Sequence, residues 1–147
     1  MSAAVDPRSI EDLVARIDAE MPARRTRVVG FVSCSSGEGT STLARAFAQA
    51  NAQAMGRSVL LLNSAQPDDG RPSVIDAVRD GQRIGDALVR HRSGLTEGAL
   101  GVGHHSDGRR AAAWSLLTRH ELWSALRESF ELVVVDMKSA DASDAAL

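Results

Sequence analysis

Apolar and polar positions along the chain alternate between two periods. In residues 10–21, IEDLVARIDAEM, Ile10, Leu13, Val14, Ile17 and Met21 recur at helical spacing. Ser9 stands as N-cap, Asp12 completes a capping-box pattern, and Pro22 ends the helix. The run VVGFV at 28–32 is apolar at every position, as expected of a parallel strand covered on both faces. Residues 41–55 read as a helix with Leu43, Phe47, Ala50 and Ala54 on one face and Gly56 as a natural stop. SVLLLN at 58–63 and FELVVVDM at 130–137 are two further buried strands. Between these two strands lie a turn-rich loop, SAQPDDGRPS, and short helical pieces in VIDAVRD and IGDALVRH. GLTEGALGVG holds a weak strand, GHHSDGRR is a polar loop, and AAAWSLLTRHELWSALRES is helical. Trp114, Leu117, Leu122, Trp123 and Leu126 are core candidates of that last helix. Strands alternating with helices predict an α/β domain with a doubly wound parallel sheet. Residues 1–26 read as a leader and amphipathic helix, and 27–147 as the domain.

Composition narrows the functional classes. With 147 residues, 44% hydrophobic and 24% charged, and a net charge of −2, the chain reads as one globular domain with no global attraction to nucleic acid. A single cysteine, Cys34, excludes an intrachain disulfide and fits a reducing compartment. VLLL and LVVV are too short to span a bilayer and the N-terminus lacks a signal-peptide pattern, so the expected location is cytoplasmic. Two absences matter more: there is no tyrosine, and Lys138 is the only lysine.

The chemistry is concentrated in SCSSGEGTST, residues 33–42, between a strand and a helix. Such a turn makes an anion site because unpaired N–H groups of the first helical turn converge there and the helix dipole adds partial positive charge. Ser36, Gly37, Glu38, Gly39, Thr40, Ser41 and Thr42 are the candidate nucleotide-binding residues, with the glycines allowing close backbone approach. Ser41 stands where a hydroxyl binds Mg²⁺, and Thr42 is placed to reach a more distant phosphate. A tight serine-rich turn with no ligand is the plain alternative. Thr40 occupies the position of the phosphate-binding lysine. One charge-assisted hydrogen bond contributes about 1.5–3 kcal/mol, so affinity should fall roughly 10- to 150-fold. Catalysis should suffer more, since the charge of a transferring phosphoryl group then lacks its counter-charge.

The segment VVGFVSCSSGEGTSTLARAFAQANAQAMGRSVLLLN resembles the nucleotide-binding core of the bacterial tyrosine kinases of capsular and exopolysaccharide synthesis, relatives of the partition-type deviant P-loop ATPases. GALGVG, LLTRHELWSALRE, FELVVVDM and SDAAL follow in the family's order, so the resemblance covers roughly 27–147. It implies a P-loop fold, ATP or ADP with Mg²⁺, and metal binding by Ser41 and Asp136. The departures are equally specific. The family has lysine at Thr40, proline at Ser36 and aspartates at Asn63 and Ala65, and its phosphorylated tail is rich in tyrosine. The N-terminal helix lacks the family's ring-forming Glu and Arg spacing, and MKSA replaces a small-residue and proline run. The resemblance therefore points to a catalytically inactive member, a regulatory or scaffolding partner of a membrane polysaccharide co-polymerase or a kinase paralogue.

Two other readings stay open. One is a working ATPase or kinase in which Asp136 acts with a relocated cation, Lys138; the other is a phosphate- or nucleotide-sensing module without chemistry. Asp68 and Asp69 are candidates to replace the lost carboxylates, although QPDDGRP is an ordinary turn pattern. Cys34 reads as a small buried thiol, Arg45 as a solubilising surface residue, and His104–His105 as a polar loop rather than a metal site. His91 and His120 read as helix-surface or helix-end residues, and Trp114 and Trp123 as core rather than a base-stacking pair. With only three or four strands before Leu147, the sheet is expected to be short of its C-terminal strands, with an exposed edge that favours self-association or a partner.

Overall fold

The computed structural model describes residues 5–21, 25–34, 37–65, 67–101 and 118–137. Helix α1 (Pro7–Glu20) begins with proline at its first position, where the missing N–H is harmless, and Asp6 caps it by accepting the Arg8 N–H at 3.2 Å. The cap is therefore Asp6 and not Ser9, whose hydroxyl instead donates to the Asp6 carboxylate. Strand β1 (Arg27–Val32), helix α2 (Thr40–Gln53) and strand β2 (Val59–Asn63) follow where the apolar pattern places them. β1, however, is not covered on both faces as expected: it ends the strand order, and residues 28–32 are half-buried or exposed. Helix α3 (Val74–Arg79) is capped by Ser73, which accepts the Asp76 N–H at 3.1 Å. IGDALVRH, expected to be helical, forms one 3-10 turn (Ile84–Ala87) and then strand β3 (Leu88–Arg90). Strand β4 (Leu95–Ala99), helix α4 (His120–Ser129) and strand β5 (Leu132–Met137) complete the described elements.

Among the described residues the sheet has five strands in the order β1-β5-β2-β4-β3, more than the three or four expected. β1, β5, β2 and β4 are mutually parallel, and β3 pairs antiparallel with β4. Gly98 of β4 lies under the Leu88 side chain: a Cβ there would stand 2.6 Å from Leu88 Cδ2, which would have to shift. β2 and β5, central in the sheet, are buried along their lengths, which explains their unbroken apolar runs.

Alternation along the strands divides the core into two layers. Val59, Leu61, Leu95, Leu132 and Val134 join α1 and α2 through Ile10, Val14, Ala44, Phe47 and Ala48. Leu60, Leu62, Val133 and Val135 join α3 and α4 through Val74, Ala77, Leu122 and Leu126. The buried stripe of α2 is Ala44, Phe47, Ala48, Asn51 and Ala52, so Ala54, assigned to this face from spacing, is exposed instead. Trp123 is half-buried against the α4 layer, while Trp114 and Leu117 lie outside the described residues.

One polar network fastens α1. Asp18 takes hydrogen bonds from Arg27 at the start of β1 and from Arg57 Nη2 at 2.7 Å, and Arg57 also donates to the buried Asn51. The Arg57 hydrogen bond, with Arg27 adding to it, holds the Asp18 carboxyl below its ordinary range despite partial desolvation.

Candidate functional site

The C-terminal ends of β1, β5 and β2 and the N-terminus of α2 meet where ligands sit in open α/β sheets. β1 passes into the glycine loop at Ser33, and α2 starts at Thr40 with Gly39 as its N-cap. Gly37 and Gly39 have φ of +83° and +81°, the left-handed region that L side chains avoid. A Cβ at either position would meet nothing within 4 Å, so backbone conformation, not crowding, demands glycine here. The N-cap, Gly39, has no side chain with which to cap α2, and the first turn of a helix presents N–H groups and the positive end of its dipole.

Gly37, Glu38, Gly39, Ser41 and Thr42 are exposed and Thr40 is half-buried. Five of the seven loop candidates thus lie on one open surface at the start of α2, while Ser36 lies outside the described residues. The Glu38 carboxylate accepts the Cys34 N–H at 3.0 Å, lacing the two arms of the loop and placing an acidic group at its rim. Sequence reasoning missed this contact because it depends on the turn's path rather than on spacing. Cys34 is exposed rather than buried, since the chain leaves the sheet at Ser33.

Phe31, Asp136 and Asn63 stand abreast across β1, β5 and β2. Leu132 and Val134 face α2, so alternation brings Asp136 out on the same face, the one carrying Ser41's helix. Asp136 is only 8% exposed, and among the described residues its Oδ1 has no hydrogen-bond partner. A buried carboxylate oxygen without a partner is unfavourable, and a hard divalent cation with oxygen ligands is one group that relieves it. Asp136 and Ser41 carry oxygen donors of the kind Mg²⁺ takes, one at the end of β5 and one in the first turn of α2. Asn63 brings no charge: its Oδ1 accepts the Ala65 N–H at 3.1 Å, folding the amide into its own turn. The same turn is stitched to the end of β4 by Leu100 N–H to Asn63 O at 2.7 Å and Gly101 N–H to Ala65 O at 3.1 Å.

Several other candidates go elsewhere. Asp69 pairs with Arg71 at 2.9 Å and accepts its N–H, which makes it a turn residue. Arg45 does more than solubilise α2: it forms a two-pronged ion pair with Glu97 of β4. His91 lies in the β3–β4 turn, not at a helix end, with Nε2 3.6 Å from Glu97. His120 opens α4, its Nδ1 3.0 Å from the Ser124 hydroxyl. Lys138, His104 and His105 lie outside the described residues. Among the described residues no group of three or more His, Cys, Asp or Glu is placed to hold a metal, and no helix is long and apolar enough to cross a membrane.

Solved structures place this arrangement in a class. The chain is similar to the kinase domain of VpsO, at 19% identity over 95% of this chain and 71% of that one, with a TM-score of 0.67. It is similar to the kinase domain of the Escherichia coli tyrosine kinase ETK, at 14% identity over 95% of this chain and 58% of that one, with a TM-score of 0.72. Cobyrinic acid a,c-diamide synthase from Mycobacterium smegmatis, solved with an ATP analogue and magnesium, is 25% identical over 77% of this chain and 51% of its own length, with a TM-score of 0.51. The fold is that of a bacterial tyrosine kinase-like P-loop domain. The family resemblance read from the sequence holds at the level of fold. This chain spans only 58% of ETK and 51% of the synthase. No protein-family model matches the sequence, and no curated protein does.

Proposed function

We propose that this chain is a tyrosine kinase-like P-loop protein that binds nucleotide weakly and does not turn it over. Its role is regulatory or scaffolding, in exopolysaccharide or capsule assembly. Thr40 carries this reading: it is the first residue of α2, where a cation is needed to meet the β- and γ-phosphates, and it offers only a hydroxyl. The backbone around Gly37 and Gly39, with the start of α2, would cradle a phosphate, and Ser41 and Asp136 would hold Mg²⁺. Bound magnesium would neutralise phosphate charge, and the chain itself adds no further positive group at Thr40, Asn63 or Ala65. The partner that fits this role is the cytoplasmic region of a membrane polysaccharide co-polymerase, or an active kinase paralogue, which would bring the chain to the inner membrane face.

Nucleotide titration with and without Mg²⁺, alongside measurement of ADP release, tests the reading. Wild type should bind weakly and release no ADP over hours, and Thr40→Lys should bind ATP about 10-fold tighter or more. Sustained ADP release by wild type that disappears in Asp136→Ala would overturn it. The unpartnered Asp136 oxygen favours one second reading, a working enzyme in which Lys138 supplies the missing cation. Its signature is magnesium-dependent affinity that collapses in Lys138→Ala.

A further inference from the structure

At the end of the sheet opposite the glycine loop, the starts of β1 and β2 and the C-terminal turn of α4 enclose a cleft of about 300 Å³, the lower limit for small-ligand pockets. β1 separates it from the loop by roughly 20 Å, at 3.3 Å per residue. Arg25, Arg27 and Arg127 line the cleft. The Thr26 hydroxyl lies within 2.8 Å of both the Arg127 and the Phe130 carbonyl, which holds the segment carrying Arg25 against the turn carrying Arg127. Arg25 and Arg127 are exposed, and among the described residues neither guanidinium has an ion-pair partner.

Arg27 is 6% exposed, with Nη1 committed to Asp18 and the Met21 carbonyl. Its Nε is shielded from solvent and, among the described residues, has no hydrogen-bond partner. Glu128 and Glu131 also border the cleft, but Glu131 is engaged by the Ser58 N–H at 2.8 Å and the Ser58 hydroxyl at 3.1 Å. With the adjoining Asp18 and Arg57 counted, four guanidiniums stand against three carboxylates, leaving a positive excess. The Glu131 carboxyl is held below its ordinary range mainly by Ser58, with the fields of Arg57 and Arg27 adding to it.

The geometry points to a second anion site, independent of the glycine loop: a phosphate-type oxyanion, free or carried on a small molecule, seated between the Arg25 and Arg127 guanidiniums above Arg27. Two unpaired planar forks on one small cleft are what bidentate recognition of an oxyanion uses.

Arginine side-chain NMR tests the site directly, with inorganic phosphate titrated at constant ionic strength into wild type and into Gly39→Val, whose strained loop removes the other anion site. The Nε–H signals of Arg25 and Arg127 should shift saturably in both proteins. Arg25→Ala and Arg127→Ala should each weaken binding about 10-fold, with unchanged thermal unfolding. Arg127→Lys should fall between, because the charge remains and the fork is lost. Glycerol phosphate binding more tightly than inorganic phosphate would identify a carried phosphate, and equal binding would mean that the phosphate group alone is recognised. Signals that do not move, that move equally with chloride, or that move only in wild type would overturn the proposal.

Discussion

The Asp136 carboxylate is buried to 8% exposure and nothing in the described protein answers its Oδ1. An unsatisfied buried oxygen of this kind destabilises by about 1–3 kcal/mol. A site kept for a ligand commonly carries such a deficit, and removing it exchanges function for stability. Asp136→Asn should therefore raise the stability of the free protein by about 1 kcal/mol and abolish any further stabilisation by Mg²⁺ with ATP. Urea unfolding of both proteins, with and without Mg²⁺ and ATP, measures this. A variant that is less stable, yet keeps the wild-type response to Mg²⁺, would show that Asp136 is an ordinary structural residue. The places of Asp136 at a strand end and of Gly37 and Gly39 in the turn before a helix were legible in the sequence, because these are local patterns with fixed spacing. The bonds from Cys34 to Glu38 and from Ala65 to Asn63 were not, because each depends on how a turn folds back on itself.

Helix α1 carries an apolar stripe, but a stripe alone does not fix where a helix docks. Asp18 does so by bonding Arg27 of β1 and Arg57 beyond α2, two residues far apart in sequence. Its folded carboxyl titrates below its ordinary value of 3.8, chiefly through the Arg57 hydrogen bond. The stabilisation is therefore fully present above that value and is lost as pH falls through the folded pKa. Asp18→Asn should cost about 2 kcal/mol at neutral pH, and the difference from wild type should shrink toward zero in acid below 3.8. Denaturant midpoints across that range decide the matter, and a difference that does not change with pH would mean that packing rather than charge holds α1. The elements themselves were largely legible: β2 and β5 are apolar on both faces because both faces are covered. β3 was not, because three residues carry no period, and its pairing with β4 is a contact across the hairpin rather than a local pattern. Asp6 displaced Ser9 as the cap because Pro7 is favoured at the first helical position, which sets the start of α1 ahead of Ser9.

The two sheet edges differ in how they meet solvent. β3 is three residues long and ends in the exposed Arg90, a blunt edge that resists pairing. β1 is six residues long, and among the described residues its only strand neighbour is β5. Residues 28–32 contain neither charge nor proline, Gly30 is exposed, and Val32 is 61% exposed. A strand of this length offers up to about six outward hydrogen bonds, which at a net contribution of about 1 kcal/mol each give about 6 kcal/mol. Association itself costs an estimated 4–15 kcal/mol, so strand pairing alone supports at most a weak dimer. A partner that also covers Val32 and the adjoining apolar surface would bind more tightly than a second copy. The expected result is concentration-dependent self-association that is weak in the micromolar range. Val32→Lys should reduce it, because a charge on an edge strand opposes pairing. Light scattering coupled to size exclusion, run across a concentration series on both proteins, distinguishes the outcomes. A wild type that stays monomeric at the highest concentration would mean that pairing at the β1 edge does not overcome the cost of association. A dimer indifferent to Val32→Lys would mean that a different surface brings the copies together.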